Sequence, residues 1–202
     1  MRLRRSIGPC GRLSVRHKSL AAEILTRRLR LRRPTLVDLD AIHSVHAALE
    51  TNQFNPAGPM ISRAAAEVTL ATWSAHWDAH GFGYWAAIPL QKDEIAGFGG
   101  IVRRELAGRQ TLNLYFRFAA AAWGKGYASE LADAALRLAF EGLGADEVVG
   151  VTRENNEPSI RVLSRLGMIL SGAIDNTDGA PRSLIYALKA ADWRPVDASV
   201  HS

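Results

Sequence analysis

The run Trp123-Gly124-Lys125-Gly126-Tyr127-Ala128 stands between two patterned stretches. Before it, Thr111 to Phe118 alternates like a strand; after it, Leu131, Ala134, Ala135 and Leu138 share one helical face. A strand that turns into a helix gathers unpaired backbone N–H groups at the helix's first turn, where the macrodipole also favours an anion. Two glycines let a ligand approach the backbone closely. The chemistry that suits such a turn is a phosphate or pyrophosphate held by main-chain donors, with Lys125 as a solvent-side supplement. A turn that needs glycine for its geometry alone is the other reading. Gly124-x-Gly126-x-x-Ser129 also touches the dinucleotide fingerprint, but that motif belongs to the first crossover of a parallel sheet, with an acid at the end of its second strand. Here antiparallel strands precede it and no acid follows the strand Val148 to Thr152 until Glu154.

Other residues with chemical potential are sparser. Asn156 precedes Glu157 and Pro158, which reads as a helix N-cap with proline in the first turn, and Ser159 follows as a first-turn serine. Along the strand before the glycine turn, Leu112, Leu114, Phe116 and Phe118 alternate with Asn113, Tyr115 and Arg117, which turns the polar trio toward one surface. His43 and His46 lie one helical turn apart, as do His76 and His80. The second pair has metal-ligand spacing, but Asp78 is misplaced for the zinc-protease motif and no third ligand is evident. Surface histidines are expected, with His76 or His80 as general base the less favoured reading.

These residues need a frame. Leu25, Leu29 and Leu31, interleaved with Thr26, Arg28, Arg30 and Arg32, read as a strand ended by Pro34. Thr35 and Asp38 form a capping-box-like start for a helix with Leu39, Ile42, Val45 and Leu49 on one face. Thr51 to Pro59 reads as a loop, and Ser62 opens a second helix with Ala66, Leu70, Trp73 and Trp77, stopping at Gly81. Strands follow at Tyr84–Ile88, Ile95–Arg103 and Thr111–Phe118, their short connections forcing antiparallel neighbours. Beyond the helix after Gly126 come a strand Val148–Thr152, a helix Ile160–Leu166 closed by Gly167, and strands Met168–Ile174 and Leu184–Leu188. Strand, helix, strand over residues 112 to 152 is a crossover, so those two strands are predicted to be parallel in a mostly antiparallel sheet.

On these residues the chain resembles the GNAT superfamily of acetyl-coenzyme A dependent N-acetyltransferases, and within it the RimJ/RimL-like branch. Leu25 to Arg32 is similar to that branch's opening strand and Ile95 to Ile101 to its third; Trp123 to Glu130 and Asn156 to Gly167 match its two motifs in the right order. The resemblance implies a mixed α/β fold, a mostly antiparallel twisted sheet splayed between its fourth and fifth strands with helices on both faces. It implies acetyl-CoA as co-substrate, an amine as acceptor, and no metal. The amides of Trp123, Gly124, Lys125, Gly126, Tyr127 and Ala128 would hold the pyrophosphate, and the strand edge at Phe116, Arg117 and Phe118 would take the pantetheine arm and polarise the thioester carbonyl. Asn156 would contact the coenzyme and Ser159 would protonate the departing thiolate. Relatives often carry a glutamate, acting through water as base, where this chain has Asn113, and a glycine where it has Tyr115. Asn113 and Tyr115 are then expected to position the acceptor or a water. With little base catalysis, an α-amine is expected over lysine: reference pKa values leave about a quarter of an α-amine neutral at pH 7.5 but only about a thousandth of lysine.

Composition sets the outer limits. Of 202 residues, 48% are hydrophobic and 22% charged, enough for one well-buried domain. The longest apolar run, Phe118 to Trp123, falls far short of the roughly 20 residues of a membrane span. Cys10 is the sole cysteine, which excludes an internal disulfide and fits a reducing, cytoplasmic setting. The net charge of +5 belongs to residues 1–22, where Arg2, Arg4, Arg5, Arg12, Arg16 and Lys18 stand without an acid. Residues 1–24 are therefore expected to be a basic, disordered leader, 25–194 a single acetyltransferase domain, and 195–202 a tail. Nucleic-acid binding through the leader is the weaker reading, and a degenerate domain that binds acyl-CoA without turnover draws its weight from Asn113. Relatives commonly dimerise, so the resemblance admits a homodimer.

Overall fold

Thr26 breaks what reads as one opening strand into two. Its N–H donates to the Leu29 carbonyl at 2.9 Å and its hydroxyl accepts from the Leu29 N–H at 3.0 Å, local bonds that compete with the ladder. In the computed structural model, which describes residues 23–106, 108–175 and 181–195, the result is a hairpin of β1 (Glu23–Leu25) and β2 (Leu29–Arg32). The leader expected at the N-terminus lies almost wholly outside the described residues.

The remaining elements follow the periodicities closely. After β2 come α1 (Leu39–Ala47), α2 (Arg63–His80), β3 (Tyr84–Pro89), β4 (Gly97–Leu106) and β5 (Arg109–Phe118). Then follow α3 (Tyr127–Arg137), β6 (Glu147–Arg153), α4 (Glu157–Arg165), β7 (Ile169–Ile174) and β8 (Ser183–Lys189). The helix expected to run on to Leu49 stops at Ala47, because the next loop caps it from outside. Thr51 Oγ1 donates to the Val45 carbonyl at 2.6 Å and Asn52 Nδ2 to the His46 carbonyl at 2.8 Å. Leu49 is left 75% exposed. β4 and β5 extend past their expected ends to meet across Leu106 and Arg109.

The strands form one sheet in the order β1-β2-β3-β4-β5-β6-β8-β7, antiparallel except for the parallel pair β5 and β6 that α3 connects. The extra N-terminal strand shifts the count, so the splay expected between strands four and five falls between β5 and β6. α1 and α2 cover one face, packing Ile42, Leu70 and Trp73 on Ala86 and Phe98. α3 and α4 cover the other, where Leu131, Leu136 and Leu163 meet Leu29, Trp85, Leu114 and Val148. Burial of these side chains drives the assembly at about 25 cal/mol per Å² of apolar surface. Gly99 of β4 allows a close approach: a Cβ there would stand 2.5 Å from the Tyr115 carbonyl and 2.8 Å from Leu131. No described helix is long and apolar enough to cross a membrane.

Candidate active site

Both glycines of the turn adopt left-handed backbone, φ +73° at Gly124 and +76° at Gly126, which side-chain-bearing residues resist. Gly126 is the N-cap of α3 and offers no side-chain acceptor. The first N–H groups of α3, from Tyr127 onward, therefore have no partner within the helix and face outward. Trp123, Gly124, Lys125 and Gly126 are all exposed. Trp123 Nε1 donates to the Phe118 carbonyl at 2.8 Å and ties the turn to the end of β5.

A second tie comes from a place the sequence reading did not single out. Glu130, in the first turn of α3, accepts from Thr26 Oγ1 at 2.6 Å, from the Arg28 N–H at 2.7 Å and from Arg28 Nε at 2.7 Å. Arg28 also donates through a terminal nitrogen to the Lys125 carbonyl at 2.7 Å and lies over the Tyr127 ring. Burial pushes the Glu130 carboxyl up, but the Thr26 and Arg28 bonds outweigh it and hold it below the usual carboxylate range. The start of the fold thus clamps the glycine turn across about a hundred residues of chain. The only linear hint is a pair of polar residues opening a strand pattern.

The strands part beside the turn. β5 and β6 pair at Leu112 with Val148, Asn113 with Val149 and Leu114 with Gly150; β5 then runs on to Phe118 and β6 to Arg153 without pairing with each other. Ala119 N–H bonds the Ala96 carbonyl on the β4 side. Strand alternation therefore turns the main-chain groups of Arg117 toward β4 and those of Phe116 and Phe118 toward the gap. Of the three residues expected to line the coenzyme edge, Phe116 and Phe118 aim their amides there. Arg117 does not, and its guanidinium lies on the α1/α2 face.

The gap opens a cleft of about 110 Å³ that passes through the sheet. Leu114, Phe116, Gly150, Thr152 and Ser159 line it on the α3/α4 side; Tyr84, Arg104, Asn113 and Tyr115 line it on the α1/α2 side. Asn113 Oδ1 and Thr152 Oγ1 are buried at this cleft with no hydrogen-bond partner among the described residues, a condition that costs stability unless a ligand or water completes it. Asn156 caps α4 through Oδ1, which accepts from the Ser159 N–H at 3.3 Å. Ser159 reaches the cleft wall; Asn156 is not among its lining residues.

His46 overturns the expectation of surface histidines. It is 8% exposed, packed between Trp73 and Phe98. Its Nδ1 lies 2.8 Å from the Ile42 carbonyl and its Nε2 3.0 Å from the Tyr115 hydroxyl. A carbonyl only accepts, so Nδ1 carries the proton and Nε2 accepts from the phenol. Burial, with Arg117 nearby, pushes the ring's pKa down to about 4, against the bond to Ile42. His76 is also committed: Nδ1 donates to the Phe82 carbonyl at 2.9 Å and Nε2 accepts the Arg103 N–H at 2.9 Å, which leaves it no lone pair for base catalysis. Among the described residues no cluster of three histidine, cysteine or acidic side chains could hold a metal.

The buried His46 has a thermodynamic consequence. Between pH about 6.5 and about 4 the unfolded chain binds a proton at this residue that the folded chain refuses, so stability is lost as the pH falls through that window. The full loss is about 3 kcal/mol. Urea unfolding at pH 7 and pH 4.5 should show most of this difference, and His46→Gln should shrink it; an unchanged difference in the variant would assign the loss elsewhere.

Sheet order, left-handed glycine turn and through-sheet cleft define the class of fold, and comparison with known proteins agrees. The profile of the acetyltransferase (GNAT) domain matches residues 28–169, and the chain belongs to this family. It is similar to the uncharacterized protein YkkB of Bacillus subtilis, 30% identical over 95 residues that make up 47% of this chain and 55% of YkkB. The FsC-acetyl coenzyme A-N(2)-transacetylase of Aspergillus fumigatus is 32% identical over 99 residues, 49% of this chain and 39% of that protein. The chain thus spans about half the length of the curated relatives it matches, or less. A crystal structure of a GNAT-family acetyltransferase from Bacillus anthracis superposes with a TM-score of 0.70, covering 84% of this chain and 99% of that one at 22% identity, a likeness of fold.

Proposed function

We propose that the protein transfers an acetyl group from acetyl-CoA to a primary amine. The amine nitrogen attacks the thioester carbonyl directly; the C–N bond forms, the C–S bond breaks, the nitrogen releases a proton to water, and the coenzyme leaves as its thiol. The observation that carries this reading is the cleft between β5 and β6, which joins the face holding the glycine turn to the polar face under α1 and α2. Partnerless Asn113 Oδ1 and Thr152 Oγ1 support a ligand there.

In this reading the turn from Trp123 to Ala128 grips the diphosphate with backbone N–H groups, Lys125 adding charge from the solvent side. The Phe116 and Phe118 amides bond the pantetheine arm and the thioester oxygen. Ser159 supplies a proton to the departing sulfur, and Asn156, beyond its capping bond, contacts the coenzyme. Asn113 and Tyr115 hold the amine. Asn113 cannot take a proton and His46 already accepts one bond, so the acceptor arrives as a neutral amine, which favours an α-amine over lysine. Residues 25–194 act as one unit, and dependence on acetyl-CoA suits a cytoplasmic protein.

Calorimetric titration with acetyl-CoA should show binding, and thiol release should be faster with a peptide whose α-amine alone is free than with one whose lysine alone is free. Absence of binding overturns the reading; a clear lysine preference overturns the acceptor assignment. Asn113 also favours a second reading, a domain that binds the coenzyme without turnover. Binding with no thiol release across an amine set would establish it instead.

A further inference from the structure

Among the described residues, the polar face of the cleft carries positive charge and no acid. Register places Arg104, Asn113, Tyr115 and Arg117 on the same face of β4 and β5: Arg104 opposes Thr111, Tyr115 opposes Gly100 and Arg117 opposes Phe98. Arg104 lines the cleft beside Tyr84 and Asn113, and no carboxylate is among the lining residues. Arg117 is half-buried and donates to Asn52 Oδ1 at 3.1 Å, a neutral partner for a group with five N–H donors. Asn52 is itself oriented, since its Nδ2 donates to the His46 and Ala48 carbonyls and leaves Oδ1 facing Arg117. Among the described residues neither Arg104 nor Arg117 forms an ion pair, whereas Arg28, Arg32 and Arg33 do. The charges felt by the titratable groups agree: Arg104 acts on Tyr84, Arg117 acts on Tyr115 and His46, and no carboxylate acts on any of the three.

We infer that the acceptor is a small primary amine that itself carries a carboxylate, which Arg104 binds at the cleft while Asn113 and Tyr115 face its nitrogen. This rests on the acetyl-transfer reading above. The Arg104 guanidinium matches the planar geometry of a carboxylate, and it and Arg117, at the far end of the same face, together repel a polycation. They also disfavour the ammonium form of an amine held between them, which lowers its pKa without a base. Arg104 opposes Thr111, which is two residues from Asn113 on β5, about 7 Å along the strand. That spacing, with the reach of the side chain, suits an amine and carboxylate separated by a few bonds.

The test compares matched acceptors by initial rates of thiol release: phenylalanine, phenylalaninamide and phenethylamine for the short separation, and γ-aminobutyrate against putrescine for the longer one. At least a tenfold preference in kcat/KM for the carboxylated member is expected in one set. Arg104→Gln should reduce that ratio at least fivefold, and Arg104→Lys should retain most of it. Arg104 is exposed, so its variants are expected to fold. Preference for putrescine or the amide, or a ratio unmoved by Arg104→Gln, overturns the inference alone, provided the wild type binds acetyl-CoA in calorimetry. No binding overturns the function reading itself, and binding with no amine acetylated overturns both transfer and this acceptor class.

Discussion

Gly126→Val is expected to weaken acetyl-CoA binding about a hundredfold while the protein remains folded. A β-branched residue at φ +76° is strained by about 1–2 kcal/mol. Its Cβ would meet the Arg28 guanidinium at 3.1 Å. That arginine cannot simply swing away, because Glu130 and the Lys125 carbonyl hold it. The turn must yield instead, and its N–H groups rotate off the diphosphate, each such charge-assisted bond contributing about 1.5–3 kcal/mol. Gly124 provides the control. It has φ +73°, but a Cβ at that position would meet nothing within 4 Å, so Gly124→Ala carries the backbone strain alone and should cost tenfold or less. Calorimetric affinities with thermal melts of both variants decide the matter; equal losses would show that the Arg28–Glu130 clamp plays no part.

Tyr115→Phe is expected to lower kcat about a hundredfold, equivalent to about 2.7 kcal/mol of transition-state stabilisation. His46 determines how this phenol works. Because Nε2 accepts the Tyr115 hydroxyl proton, the phenol presents lone pairs to the cleft and can accept an N–H from the incoming amine. Burial pushes the phenol's pKa up to about 12, so it stays protonated and keeps that orientation through the physiological range. Loss of the hydroxyl frees the amine to wander, and misplacement by about 1 Å can cost a hundredfold. His46→Gln should lower kcat in the wild-type background and have little further effect beside Tyr115→Phe. Additive losses in that double-mutant cycle would mean that His46 supports only the packing of α1.

How far each feature could be read along the chain follows the range of the interaction behind it. The strand and helix periods, the Ser62 and Asn156 caps, the glycine turn and the parallel crossover are local, and a linear pattern carries them. The sequence motifs at Trp123–Glu130 and Asn156–Gly167 carried the family as well, because a glycine turn and a helix N-terminus are built from consecutive residues. The misreadings have one cause. Leu49 lies outside α1 because Thr51 and Asn52 cap the helix from the loop, and the opening strand splits because Thr26 bonds its own neighbour.

From the sequence alone came the class of fold, the order of its elements and the position of the glycine turn. Tertiary structure alone decided the rest: that Arg28 and Glu130 brace that turn, that Arg117 faces α1 rather than the gap, and that His46 is buried against Tyr115. These pairs are separated by about seventy to a hundred residues or are sorted by strand register. Hydrogen-bond geometry and burial choose such partners only after the chain has closed on itself.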